Sequence, residues 1–279
     1  IRDDAADSIV FCNFSGGKHA DVALVKDRYN TIWAYRRNGQ LLWSVTNPGG
    51  YKTAHQPRPM DLDGDGVDEI LAGYAMLNAD GSVRWIIQSE TIKKRLGHLD
   101  CARVVRSGAA PEDIRIAATF CGGKNLALLD GNGRVVWEMG GHHFESVQAA
   151  NIMPGKTTPQ LLVDVDHQPS GASPIWVVSF DGRVLGKLIT DYSRQHRPID
   201  WDGDGLDEFV VAAGRGLYDH TGQRVATFDL PAGGGIVHTG DMDGDGRDDV
   251  IFGTEDKVWI FRNESFAKPA GTGCNVTLY

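Results

Sequence analysis

The sequence predicts an all-β chain built from repeated four-stranded units, and three observations carry that expectation. An Asp-rich nonapeptide, Asp61-Leu62-Asp63-Gly64-Asp65-Gly66-Val67-Asp68-Glu69, returns at 200–208 and again at 241–249. Each copy runs directly into an apolar segment such as Ile70-Leu71-Ala72-Gly73. Independently, a turn followed by a strand ending in Trp recurs as Asn38-Gly39 to Trp43, Asp80-Gly81 to Trp85 and Asn132-Gly133 to Trp137. Weaker copies at Asp181-Gly182 and Thr221-Gly222 lack the Trp. Asn-Gly and Asp-Gly between apolar runs mark hairpins because both residues tolerate positive φ. Third, the turn glycines stand 42, 52, 49 and 40 residues apart, and no convincing amphipathic helix interrupts them.

Together these signals place six units, at about 8–45, 53–88, 96–140, 141–190, 192–229 and 234–263. Each reads strand, loop, strand, strand, turn, strand. The first unit carries a decayed loop from Asn13 to Asp21, the third has 106–113 at that place, and the fourth has Asn151-Ile152-Met153-Pro154-Gly155. Four short strands at this period form the pattern of a β-propeller blade, whose faces are buried by its neighbours so that the ring must close. The expectation is one propeller domain over 1–279 with six to eight blades, seven favoured, 271–279 being the start of another.

The nonapeptide has the chemistry of a hard-cation cage. Carboxylates at positions one, three and five, a main-chain carbonyl at seven and a carboxylate at nine supply the oxygens that Ca2+ prefers. The ligands so expected are Asp61, Asp63, Asp65, Val67 and Glu69; Asp200, Asp202, Asp204, Leu206 and Glu208; and Asp241, Asp243, Asp245, Arg247 and Asp249, up to three structural Ca2+ sites. An EF-hand is excluded, because position twelve is Ala72, Val211 or Phe252 inside an expected strand rather than a bidentate Glu.

Composition bounds the rest. The 279 residues carry a net charge of −9, but the three loops hold 15 of the 37 acids. The 22 acids elsewhere face 28 basic residues, a balance of +6 that suits an anionic ligand. No Lys/Arg cluster points to nucleic acid, and no apolar run reaches a membrane span. Loops of this kind suit millimolar Ca2+ and therefore a secreted or periplasmic protein, expected as a monomer. The sequons at Asn13, Asn263 and Asn275 add little, and the abrupt start at Ile1 suggests a processed chain. Four cysteines allow a Cys101–Cys121 pair on neighbouring strands and a Cys12–Cys274 pair joining the chain ends, or free thiols.

Aligning the strands that precede each loop exposes two polar registers. Three positions before the loop stand Arg58, Arg103, Gln148, Arg197 and His238; six positions before stand His55, Asp100, Glu145, Arg194 and Gly235. Innermost strands line a propeller's central funnel, so these residues, with His98, His142, His143, His167 and His196 nearby, are the expected ligand-facing set. The Trp residues at the repeat position are expected to be packing residues.

The Asp-x-Asp-Gly-Asp-Gly loop followed by a strand resembles the calcium-binding FG-GAP/VCBS-type propeller repeat, found in integrin α-chain heads and in rhamnogalacturonan lyases. Gly97-His98-Leu99-Asp100, the run Leu161 to His167 and the run Arg197 to Asp204 resemble stretches of the propeller polysaccharide lyases. The resemblance implies β-elimination on an acidic, rhamnose- and uronate-containing polysaccharide. Arg neutralises the uronate carboxylate through its planar fork, and a neutral His or a Tyr removes the C5 proton. The expected carboxylate partners are Arg197, Arg103 and Arg194; the expected base is His143 or His98, then His55 or His196. A non-catalytic carbohydrate-binding or adhesion propeller is the alternative, and a His cluster can also hold a transition metal.

Overall fold

The computed structural model describes residues 7–94, 97–167, 174–188, 195–230 and 235–264. Strand dominates, as the hairpin spacing requires, and the strands pair in chain order into antiparallel sheets. The first sheet is β1 (Ser8–Cys12), β2 (Val22–Lys26), β3 (Thr31–Arg36) and β4 (Leu41–Thr46). The second is β5 (Thr53–Met60), β6 (Glu69–Gly73), β7 (Ala75–Leu77) and β8 (Val83–Ile86), and the third β9 (His98–Arg106), β10 (Arg115–Cys121), β11 (Asn125–Leu129) and β12 (Val135–Gly140). The fourth is β13 (His143–Ala150), β14 (Gln160–Asp166), β15 (Ile175–Val178) and β16 (Val184–Leu188). Then come β17 (His196–Ile199), β18 (Glu208–Val211), β19 (Gly216–Tyr218) and β20 (Arg224–Thr227), and a last sheet whose described strands are β21 (Ile236–Gly240), β22 (Asp249–Gly253) and β23 (Val258–Phe261). The expected further strand at 271–279 lies outside the described residues, as do Arg194 and Cys274.

These residues fall into two compact units that divide between Val147 and Gln148, inside β13. In the first unit, period-two alternation along β6 sends Ile70 and Ala72 into a core with Val22, Leu24 and Ile32 of the first sheet. Leu71, between them, joins Leu99, Ile116 and Phe120 of the third sheet. The second unit repeats the device. Phe209 and Val211 of β18 pack with Leu162, Ile175 and Val177, while Val210 packs with Val237, Val250 and Phe252. A middle strand buried on both faces must be apolar at every position, which is why the runs after the Asp-rich loops do not alternate.

The two repeat motifs interlock neighbouring sheets. Trp43 Nε1 on β4 donates to Ala79 O at 2.8 Å, and Trp85 Nε1 on β8 donates to Gly131 O at 2.9 Å. The turn glycine of the next sheet lies under each ring. A Cβ on Gly81 would stand 2.8 Å from Trp43 Cδ2, and one on Gly133 only 2.4 Å from Trp85 Cε3. Both glycines also have positive φ, 83° and 75°, so glycine is required twice over at these turns.

Among the described residues one short α-helix joins the strands, too short to be an amphipathic element of the fold. α1 (Glu90–Lys94) follows the second sheet, with Ile92 N donating to Ser89 Oγ at 3.1 Å. Its signal was local and weak: a Ser cap, Glu90 in the first turn and Lys93 and Lys94 in the last.

Of the two states the sequence allowed for Cys101 and Cys121, the disulfide is not the one formed: Cys12, Cys101 and Cys121 are free thiols. Strand register is the reason. Cys101 pairs with Thr119, whereas Cys121 pairs with His98, and the Cys101 thiol faces Val147 O at 3.8 Å.

Candidate functional site

In the first unit, side chains from β5, β9 and the β2–β3 loop converge on one tyrosine that the sequence reading did not single out. Tyr29 has φ 79°, a conformation that a bulky side chain adopts only where its surroundings hold it. Its N–H donates to Asp27 O and its carbonyl accepts from Thr53 N, both at 3.0 Å. The ring stacks on His98 at 4.3 Å between centroids, and the hydroxyl lies 2.9 Å from His55 Nε2. His55 and His98 meet edge to face at 4.7 Å.

Acids stand behind both imidazoles. His98 Nε2 is 3.1 Å from Asp100 Oδ1, without the alignment of a hydrogen bond, and His55 Nδ1 is 3.6 Å from Asp7 Oδ2. His98 and Asp100 are two apart on β9 and so share a face. Asp7 also pairs at 2.8 Å with Lys26, whose side chain is 1% exposed. Burial works to raise the Asp7 carboxyl, but the lysine outweighs it and holds Asp7 below its ordinary range. Burial lowers His55, so the ring is neutral near pH 7 and can accept a proton. On the open side, the Arg28 guanidinium lies 5.4 Å from the Tyr29 ring centre. A neutral imidazole hydrogen-bonded to a phenol, beside an exposed guanidinium, can move a proton next to a bound carboxylate.

The other expected residues fall elsewhere. His143 and Glu145, on β13, stand 3.5 Å apart, and the Cys121 thiol contacts His143 Nε2. Burial, then Asp100 and Glu145, push the Cys121 thiol up to about 12. Arg103 Nη1 donates to Ala102 O at 3.0 Å. In the second unit Arg197 Nη1 donates to His196 O at 2.8 Å, and His196 is fully buried with Nε2 3.2 Å from Leu162 O. A ring so enclosed serves the fold rather than meeting a substrate. Tyr29 and Arg28 were missed because they lie in the β2–β3 loop, and Lys26 because it ends β2, all off the registers that periodicity could align.

All three Asp-rich loops adopt one conformation. Gly64 and Gly66, Gly203 and Gly205, and Gly244 and Gly246 all have φ between 76° and 89°. The first Asp of each loop accepts from a glycine N–H: Gly66 to Asp61 at 3.0 Å, Gly205 to Asp200 at 3.4 Å, Gly246 to Asp241 at 2.9 Å. The fifth residue accepts from the seventh (Asp65 from Val67, Asp204 from Leu206, Asp245 from Arg247), and the ninth from the second (Glu69 from Leu62, Glu208 from Trp201, Asp249 from Met242). Ligand atoms of Asp61, Asp63 and Glu69 lie within 4.8 Å of one another, as do those of Asp200, Asp202 and Glu208, a spacing that fits a cation.

The eighth residue has a separate duty. Asp68 Oδ2 accepts from Asn13 N at 2.7 Å, and Asp207 Oδ2 from Asn151 N at 2.6 Å. Asp68 N and Asp207 N donate in return to Asn13 O and Asn151 O, each at 2.8 Å. The decayed loops of the first and fourth units are thus stapled by the intact loops of the sheets that follow them.

Cation supply differs among the loops. Arg84 lies on Glu69 and 2.8 Å from Asp63, while Arg247 pairs with Asp245 and Arg262 lies 3.4 Å from Asp243. Glu208 is surrounded by carboxylates instead, and burial, aided by Asp202 and Asp204, pushes it up to about 7.

The recurring loop, its strand and the staple that links it to the preceding sheet together define a repeat. Residues 14–72 match the FG-GAP-like repeat. No curated protein sequence matches the chain. Among solved structures it is similar to the exotype rhamnogalacturonan lyase YesX (TM-score 0.66, 21% identity, 91% of this chain and 46% of that one). It is also similar to the rhamnogalacturonan lyase YesW (0.65, 19%, 96% and 49%) and to the V. cholerae biofilm matrix protein Bap1 (0.62, 11%, 94% and 69%). At these identities the likeness is one of fold, and the chain spans about half the length of the lyases it matches. No described helix is long and apolar enough to cross a membrane.

Proposed function

We propose that the chain is the propeller of a secreted polysaccharide lyase that cleaves a rhamnose- and uronate-containing polysaccharide by β-elimination. One observation carries the reading: Tyr29, held at φ 79°, is clamped between His55 and His98 with its hydroxyl 2.9 Å from an imidazole that burial keeps neutral. Fold likeness to two rhamnogalacturonan lyases supports it, although fold alone is no warrant for activity.

In this reading Arg28 receives the uronate carboxylate and so acidifies the C5 proton. His55 removes that proton, and the C4–O4 bond breaks with its electron pair leaving on oxygen. Tyr29 protonates the departing oxygen. Transfer of the proton from His55 to Tyr29 across their hydrogen bond restores both groups, so the cycle consumes neither water nor an oxidant. His98 and Asp100 hold the tyrosine in place, and Arg103 in the first unit and Arg197 in the second are each proposed as carboxylate-binding residues.

Ca2+ is proposed on the Asp-rich loops. Asp61, Asp63, Asp65, Glu69 and the Val67 carbonyl would hold it in the first loop, with the matching residues in the second and third. It would neutralise clustered carboxylates and pin strand connections. The test is incubation with pectic and glucuronate-bearing polysaccharides, read as ultraviolet absorbance of the unsaturated uronate, with Tyr29→Phe and His55→Ala as controls that abolish it.

A further inference from the structure

Cys121, His143 and Glu145 form a cluster that the proton transfer above does not use. Their ligand atoms lie within 4.8 Å of one another. His143 and Glu145 are two apart on β13 and so project to one side, and two bonds fix that strand against β10 and β9. Thr119 Oγ1 donates to Glu145 O at 2.6 Å, and the Cys101 thiol faces Val147 O at 3.8 Å. Cys121, at the end of β10, is thereby set against His143 Nε2. Asp100, whose side chain is 8% exposed, interacts with the Cys121 thiol, and its Oδ2 is buried with no hydrogen-bond partner.

We propose that Cys121, His143 and Glu145 form a zinc site. A thiol, an imidazole and a carboxylate are a donor set that the Asp-rich loops do not offer. Sulfur and nitrogen select Zn2+ over Ca2+, which takes oxygen alone. Two carboxylates buried against a thiol and an imidazole repel one another unless a cation sits between them. The site removes His143 from the set of candidate bases and gives the cluster a structural duty beside His98. It does not depend on the lyase reading.

The full chain, stripped of transition metals and kept in saturating Ca2+ so that oxygen-only sites are filled, is titrated with Zn2+ and with Co2+. One tight equivalent of each is expected, Co2+ giving a thiolate-to-metal charge-transfer band in the near ultraviolet. Cys121→Ser should remove that band, and His143→Ala should weaken Zn2+ binding at least as much as the ~100-fold that losing an outer partner of a metal ligand can cost. Should either variant fail to fold, alkylation of the unaltered protein decides. Zn2+ is expected to slow iodoacetamide modification mapped to Cys121 by peptide mass. A Co2+ complex without a thiolate band, a band that survives Cys121→Ser, or Cys121 alkylation indifferent to Zn2+ would overturn the proposal.

Discussion

Replacing Gly133 by alanine tests the interlock between sheets. The residue has φ 75°, and a Cβ there would meet Trp85 Cε3 at 2.4 Å, Cζ3 at 2.8 Å and Cδ2 at 2.9 Å. The left-handed backbone alone costs an L-residue about 1–2 kcal/mol. The indole must also move, which breaks the 2.9 Å bond from Trp85 Nε1 to Gly131 O, a loss of about 1 kcal/mol, with a similar amount of packing beneath the ring. The sum is about 3–4 kcal/mol. Gly39→Ala is the matched control, because Gly39 has φ 82° but nothing within 4 Å of its Cβ position. It should lose only the backbone share of about 1–2 kcal/mol. For a unit of this size, at about 3 °C per kcal/mol, the melting temperature would fall by about 9–12 °C in the first variant and about 3–6 °C in the control. Circular dichroism and Trp fluorescence read both. Equal losses in the two variants would refute the reasoning, since sheet-to-sheet contact would then add nothing to backbone strain.

Further outcomes follow from the loops. Glu208 rises from 4.5 to about 7 in the metal-free fold, so the folded state binds its proton more tightly than the unfolded one. Ionising it therefore costs nothing below pH 4.5, increasingly more up to pH 7 and about 3 kcal/mol above that. Metal-free protein should lose stability relative to Glu208→Gln over that window in a pH series of melts, and Ca2+ should erase the deficit; parallel curves without metal would contradict the assignment. Arg84 already lies on Glu69 and Asp63, so Arg84→Met should raise the stabilisation gained from Ca2+, measured as the melting shift on adding a chelator. Asp68→Ala should cost about 2 kcal/mol in urea unfolding, because it leaves the Asn13 N–H without the acceptor it has at 2.7 Å.

The fold was legible because its signals are local. Turn glycines at positive φ, Asp-rich loops and the apolar runs behind them each announce themselves within nine residues, and β6 and β18 follow from runs buried on both faces. The loops' eighth residue was less legible, because Asp68 and Asp207 act on Asn13 and Asn151, more than fifty positions away. The candidate site was half legible. His55, His98 and Asp100 stood on aligned strands, but Tyr29 enters from a loop in a backbone conformation that no pattern requires. The sequence left open whether Cys121 pairs with Cys101, and strand register places it opposite His98 instead. His196 shared the right strand but is enclosed, since accessibility is a property of packing that a register cannot carry.

The most direct test of the central claim is absorbance of the unsaturated uronate released from rhamnogalacturonan by the Ca2+-loaded chain and by its Tyr29→Phe and His55→Ala variants. A rise is expected with the unaltered chain, falling by at least ~100-fold in both variants while their melting curves stay unchanged. A rise that persists in well-folded Tyr29→Phe and His55→Ala, or none from the unaltered chain on any uronate-bearing polysaccharide, would contradict it.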